Sequence, residues 1–84
     1  MENKEIQALI EDGIPGSQVR VTGDGSHFDI TVICEAFEGM TMVQEQKMVY
    51  ALLNEKITSG ELHAVTIKAY TPAEWEKAQR LQIQ

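Results

Sequence analysis

Two alternating runs separated by a glycine turn constrain this chain more than any other feature. Residues 18–22, QVRVT, alternate polar and apolar side chains, and residues 28–36, FDITVICEA, alternate again. In an extended backbone successive side chains point to opposite faces, so Phe28, Ile30, Val32, Cys34 and Ala36 share one face while Asp29, Thr31, Ile33 and Glu35 occupy the other. Gly23, Asp24 and Gly25 lie between the runs and are all strong turn formers. The segment is a β-hairpin.

The flanking sequence supplies helices and one more strand. Residues 2–12 carry Ile6, Leu9 and Ile10 at helical spacing, and the DGIPG of residues 12–16 is a strong stop. After Phe37, Glu38 and Gly39 close the hairpin, Thr41 and Gln44 form a capping-box pattern that opens a helix reaching about residue 58. Its stripe is Val49, Leu52, Leu53 and Ile57, a break near residues 45–46 is allowed for, and Gly60 closes it where a left-handed residue is expected. Residues 62–70, LHAVTIKAY, read as a third strand with Val65, Ile67 and Ala69 on one face and Thr66, Lys68 and Tyr70 on the other. Thr71, Pro72 and Glu74 combine an N-cap, a proline at the first helical position and a capping-box acid, with Tyr70 and Trp75 placed as a hydrophobic staple.

The order αββα(α)βα fits one α+β layer pair. The helical connection from the second strand to the third is the kind that joins parallel strands, with a right-handed crossover. That topology concerns the two histidines. His27 precedes the second strand and His63 opens the third; strands that are parallel neighbours lie roughly 5 Å apart, so 36 positions of sequence shrink to one edge of the sheet.

Eighty-four residues make a single domain over positions 1–84, too small for an enclosed catalytic cleft. Residues 78–84 are expected to be a mobile tail and a contact element for a partner. Thirteen acidic against seven basic residues give a net charge of -6, which offers no general attraction for nucleic acid. The single cysteine excludes an internal disulfide or a Cys-x-x-Cys metal knuckle. No apolar run is long enough to span a bilayer, and the opening Met-Glu-Asn-Lys has neither signal nor transit character, so a cytoplasmic location is expected.

Several blocks together are specific. They are Gly23-Asp-Gly-Ser-His-Phe28, Phe37-Glu-Gly-Met40, Val49-Tyr50 and, above all, Leu62-His-Ala-Val-Thr-Ile-Lys-Ala-Tyr-Thr-Pro-Ala-Glu-Trp75. On these residues the chain resembles the BolA family, in its IbaG-like bacterial branch, over nearly its whole length. The resemblance implies a fold related to the class II KH domain, αββααβ(α), with a three-stranded mixed sheet and helices packed on one face. It also implies iron–sulfur handling, without catalysis, beside a monothiol glutaredoxin of the Cys-Gly-Phe-Ser type. The [2Fe-2S] cluster would be held by the glutaredoxin cysteine, by glutathione and by ligands from the BolA side. The family's histidine at the opening of the last strand falls on His63, and its hairpin-loop histidine or cysteine falls on His27. Imidazole can replace thiolate on one iron, as in Rieske centres, and this raises the potential.

Each feature also has a plainer reading. A strand-start histidine can simply be satisfied by a backbone carbonyl, and one beside a turn can simply be solvated. Cys34 lies seven residues beyond His27, roughly 23 Å at strand rise, and is expected to be a small buried apolar group. Met40, Met42 and Met48 read as core and edge filler, with adaptable partner contact as the lesser role. Glu2, Glu5, Glu11 and Asp12 line the first helix as a solvated face, and no nucleophile triad, phosphate loop or metalloprotease pair occurs.

The other functional class is a KH-like nucleic-acid-binding regulator of a stress response. KH domains clamp the backbone with a Gly-x-x-Gly loop between helices; the Gly13-Ile-Pro-Gly16 run here leads from a helix into a strand instead, and Lys47 and Lys56 are balanced by Glu45 and Glu55. An adaptor that binds glutaredoxin without delivering metal, and a homodimer bridging metal through His27 and His63, complete the set.

Overall fold

A computed structural model describes residues 2–24 and 27–83. Its elements are α1 (Asn3–Gly13), β1 (Gln18–Gly23), β2 (His27–Ile33), a single 3-10 turn (Glu35–Phe37), α2 (Met42–Thr58), β3 (Ala64–Tyr70) and α3 (Pro72–Ile83). The sheet order is β1-β2-β3. β1 and β2 are antiparallel, with Val19 opposite Val32 and Val21 opposite Ile30, whereas β2 and β3 are parallel, with Phe28 beside Val65 and Ile30 beside Ile67. The α+β class and the parallel crossover expected from the sequence are both present.

One face of the sheet is the core. Phe28, Ile30, Val32 and Ile67 are buried against Ile6 and Ile10 of α1 and Val49 and Leu53 of α2, each pair one helical turn apart. α2 starts sharply because Thr41 and Gln44 cap each other: the Gln44 N–H donates to Thr41 Oγ1 at 3.2 Å and the Thr41 N–H to Gln44 Oε1 at 2.9 Å. It runs unbroken through residues 45–46, because nothing there interrupts the backbone ladder. Gly60, at φ 86°, ends it in the left-handed region that favours glycine.

The second strand is shorter than the alternation indicates. β1 begins at Gln18, paired with Ile33, so β2 loses that neighbour beyond Ile33. Cys34 makes one last bond, its N–H donating to the Tyr70 carbonyl at 3.0 Å, and residues 35–37 then coil into the 3-10 turn that buries Phe37. Ala36 and Glu35 are therefore not strand residues. Ile33, on the face opposite Phe28, Ile30 and Val32, is buried as well. It sits in register between Gln18 and Tyr70, and it lines one hollow together with Trp75 from the start of α3. The Trp75 ring lies 5.3 Å from Tyr70, as a staple requires, and beneath the Arg20 guanidinium at 5.1 Å. Thr71 and Glu74 complete the cap of α3, and residues 78–83 continue that helix without interruption.

The outer edge of β3 is covered by side chains instead of a strand. Gln46 Nε2 donates to the Ile67 carbonyl at 2.7 Å, and Tyr50 Oη reaches the Val65 carbonyl at 3.5 Å. Four residues of helix rise about 6 Å and two of strand about 6.6 Å, so residues 46 and 50 keep step with alternate outward carbonyls. An otherwise open edge is thereby blunted. None of the helices is long and apolar enough to cross a membrane, among the described residues.

A histidine-bordered depression at the sheet edge

His27 is the first residue of β2 and is paired with Ala64, so His63 stands one residue ahead of β3 at the same end of the sheet. Both border one open depression of about 340 Å³, whose other walls are Tyr50 and Ile57 from α2 with Ala64 and Val65. The parallel register alone accounts for this meeting of two residues so distant in sequence.

Each histidine is placed by local chemistry. The His27 N–H donates to Asp24 Oδ1 at 3.1 Å, and the His27 carbonyl accepts from the Asp24 N–H at 3.4 Å, so the turn aspartate grips the residue from both sides. Gly25 and Ser26, at the tip of that turn, lie outside the described residues. His27 Nε2 is 3.5 Å from Asp29 Oδ1, a neighbour on the same face of β2, and both side chains are more than half exposed. His63 is exposed and follows Leu62, which is buried and whose N–H donates to the Lys56 carbonyl at 3.1 Å. Leu62 thus anchors the chain immediately before the histidine. His27 has the parity of Asp29 on β2, whereas His63 stands just ahead of β3 and outside its alternation.

Cys34 is buried at the opposite end of β2, in the core cluster. It has no part in the depression. Among the described residues no group of three or more His, Cys, Asp and Glu side chains is gathered as a metal site. Asp29, Tyr50 and Ile57 were not singled out from the sequence as neighbours of the histidines. The step from residue 46 to residue 50 on α2 was the available signal for Tyr50.

Comparison with known proteins decides the lineage. The family model described as BolA-like protein matches residues 6–74. The chain belongs to the BolA family. It is 47% identical over 81 residues to the acid stress protein IbaG of Escherichia coli strain K12, covering 96% of each BolA-family chain. A BolA homologue from Coxiella burnetii superposes with a TM-score of 0.79 at 38% identity, covering 90% of this chain and 97% of that one. The BolA domain of SufE1 from Arabidopsis thaliana gives a TM-score of 0.73 at 28% identity, covering 86% and 93%. Within this BolA domain, the LHAVTIKAYTPAEW block is the β3–α3 unit that carries His63 at one end and Trp75 at the other.

Proposed function

We propose that this BolA-family protein is a non-catalytic iron–sulfur accessory module of the cytoplasm, sharing a [2Fe-2S] cluster with a monothiol glutaredoxin and glutathione. His63 and His27 are its ligands. The observation that carries the reading is their convergence on one exposed depression through the parallel pairing of β2 and β3. Two imidazoles make an incomplete set, which is the donor chemistry of a shared site: the remaining ligands are thiolates from the partner and from glutathione.

The cluster is cargo, and neutral nitrogen ligands lessen its net charge and raise its potential. The chain's own residues present and orient those nitrogens. Asp29 is positioned to hold the His27 ring, and a carboxylate behind a ligating imidazole fixes its orientation and basicity. The Asp24 hydrogen bonds set the His27 backbone, and Leu62 sets that of His63. Ile57 supplies an apolar wall that limits access of water to the bound group. The name of the E. coli relative supports placing this role in a response to stress, acid among them.

Coexpression with a Cys-Gly-Phe-Ser glutaredoxin, followed by visible absorption and circular dichroism, tests the reading. His63→Ala should alter the spectrum of the complex, and His27→Ala should alter it less. A spectrum indifferent to His63→Ala sinks the ligand assignment.

A further inference from the structure

We infer that a groove at the other end of β3, between the first turns of α2 and the exposed side of α3, docks an arginine or lysine side chain of a partner polypeptide, flanked there by apolar residues. The groove encloses about 650 Å³, and its walls include Met42, Glu45, Tyr70, Glu74, Lys77 and Leu81. It is separate from the histidine depression: β3 runs seven residues from Ala64 to Tyr70, so the two lie roughly 20 Å apart.

Glu45 makes the groove a site. The residue is only 8% exposed, yet its carboxylate has no hydrogen bond or ion pair among the described residues. Withdrawing a carboxylate from water without a partner is costly, even in the first turn of a helix, where the dipole favours an acid. Burial, and secondarily the neighbouring Glu74, push the Glu45 carboxyl above the usual carboxylate range. Glu74 is held in place, since its Oε1 accepts the Thr71 N–H at 2.8 Å. Lys77 borders the groove without forming an ion pair to any described carboxylate. Two acids and one base leave the groove with a net negative charge, and the Glu45 carboxylate oxygens stay accessible from it although the rest of the residue is packed.

The chemistry of the walls selects the occupant. A phosphate backbone would face two carboxylates. A divalent ion would find too few ligands, since no group of three is gathered among the described residues. A guanidinium is weakly hydrated and planar, and suits a partly buried carboxylate better than an ammonium does. The rim is apolar, with Met42 76% and Leu81 67% exposed, and methionine adapts readily to a partner's side chains. A cationic residue between apolar neighbours matches that layout.

The test uses the full, isotope-labelled chain at neutral pH and low salt. It is titrated with acetyl-Leu-Arg-Leu-amide and with the same peptide carrying neutral citrulline in place of arginine. The expected result is shifts centred on the amides of Met42, Glu45, Lys77 and Leu81, with the citrulline peptide at least about fivefold weaker. Glu45→Gln should weaken the arginine peptide about tenfold, the scale of one charge-assisted hydrogen bond, whereas Glu55→Gln, at the far end of α2, should not. Acidifying through the Glu45 range should weaken the peptide too. Glu74→Gln, which keeps a capping acceptor, repeats the test should Glu45→Gln not fold. Equal binding of the citrulline peptide, shifts spread evenly over the acidic surface, or no shifts at all would overturn the inference. So would concentration-dependent shifts of the same amides in the free chain, since they would make a second copy the occupant.

Discussion

Replacing Gly23 by alanine should damage both the stability of the chain and the placement of His27. A Cβ added there would overlap the His27 carbonyl oxygen and lie 2.9 Å from Phe28 Cδ1 and 3.1 Å from Phe28 Cα. Ordinary carbon contacts begin near 3.5 Å. Phe28 is 1% exposed in the core and cannot withdraw, so the backbone at residue 27 must move. That movement strains the two Asp24–His27 hydrogen bonds, at 3.1 and 3.4 Å. Overpacking of this kind costs about 1–3 kcal/mol and a weakened hydrogen bond about 1 kcal/mol, while the loss of glycine's freedom in the unfolded chain returns about 0.4–1 kcal/mol. The net loss is about 1–3.5 kcal/mol. Urea unfolding followed by fluorescence of Trp75, the single tryptophan, reads it directly. With a slope near 1 kcal/mol/M for a small domain, the midpoint should fall by about 1 M or more. A midpoint within about 0.3 M of the parent, with the His27 amide resonance unmoved, would refute the steric reasoning.

Gln46→Ala removes the bond that blunts the β3 edge and should cost about 1 kcal/mol in the same urea assay, whereas Gln46→Glu should cost more because two acceptors would then face each other. Cys34→Ala should leave the visible spectrum of the glutaredoxin complex unchanged, since the thiol is buried in the core at the opposite end of β2; a changed spectrum would return Cys34 to the ligand set. Glu45 binds its proton more tightly folded than unfolded, so its contribution to stability is fully present below the ordinary glutamate range and is lost as pH rises through the raised value. Thermal unfolding across mildly acidic pH should therefore show a downward slope toward neutrality that Glu45→Gln flattens, with a higher melting temperature for the variant at pH 7.

The secondary structure was legible wherever a local signal had a local cause. The Thr41–Gln44 and Thr71–Glu74 boxes, Gly60 and the Tyr70–Trp75 staple all depend on residues within one turn of each other. The end of β2 was not legible, because alternation continues to Ala36 while the partner strand that would sustain pairing stops at Gln18, which is a tertiary fact. The burial of Ile33 was hidden for a similar reason: Trp75, which lines one hollow with it, comes from α3, starting almost forty residues later. The two histidines were brought to one edge by topology inferred from a helical crossover, so their proximity could be read. Glu45 could not be singled out, because an acid in the first turn of a helix is ordinary and only packing shows that it lacks a partner.

Pulsed electron paramagnetic resonance on the reduced cluster of the chain–glutaredoxin complex asks whether nitrogen from this chain binds iron. The expected spectrum shows strongly coupled nitrogen that disappears in His63→Ala and is diminished in His27→Ala, with Cys34→Ala indistinguishable from the parent. A cluster showing only sulfur ligation in the parent, or nitrogen coupling that persists through both histidine substitutions, would contradict the assignment.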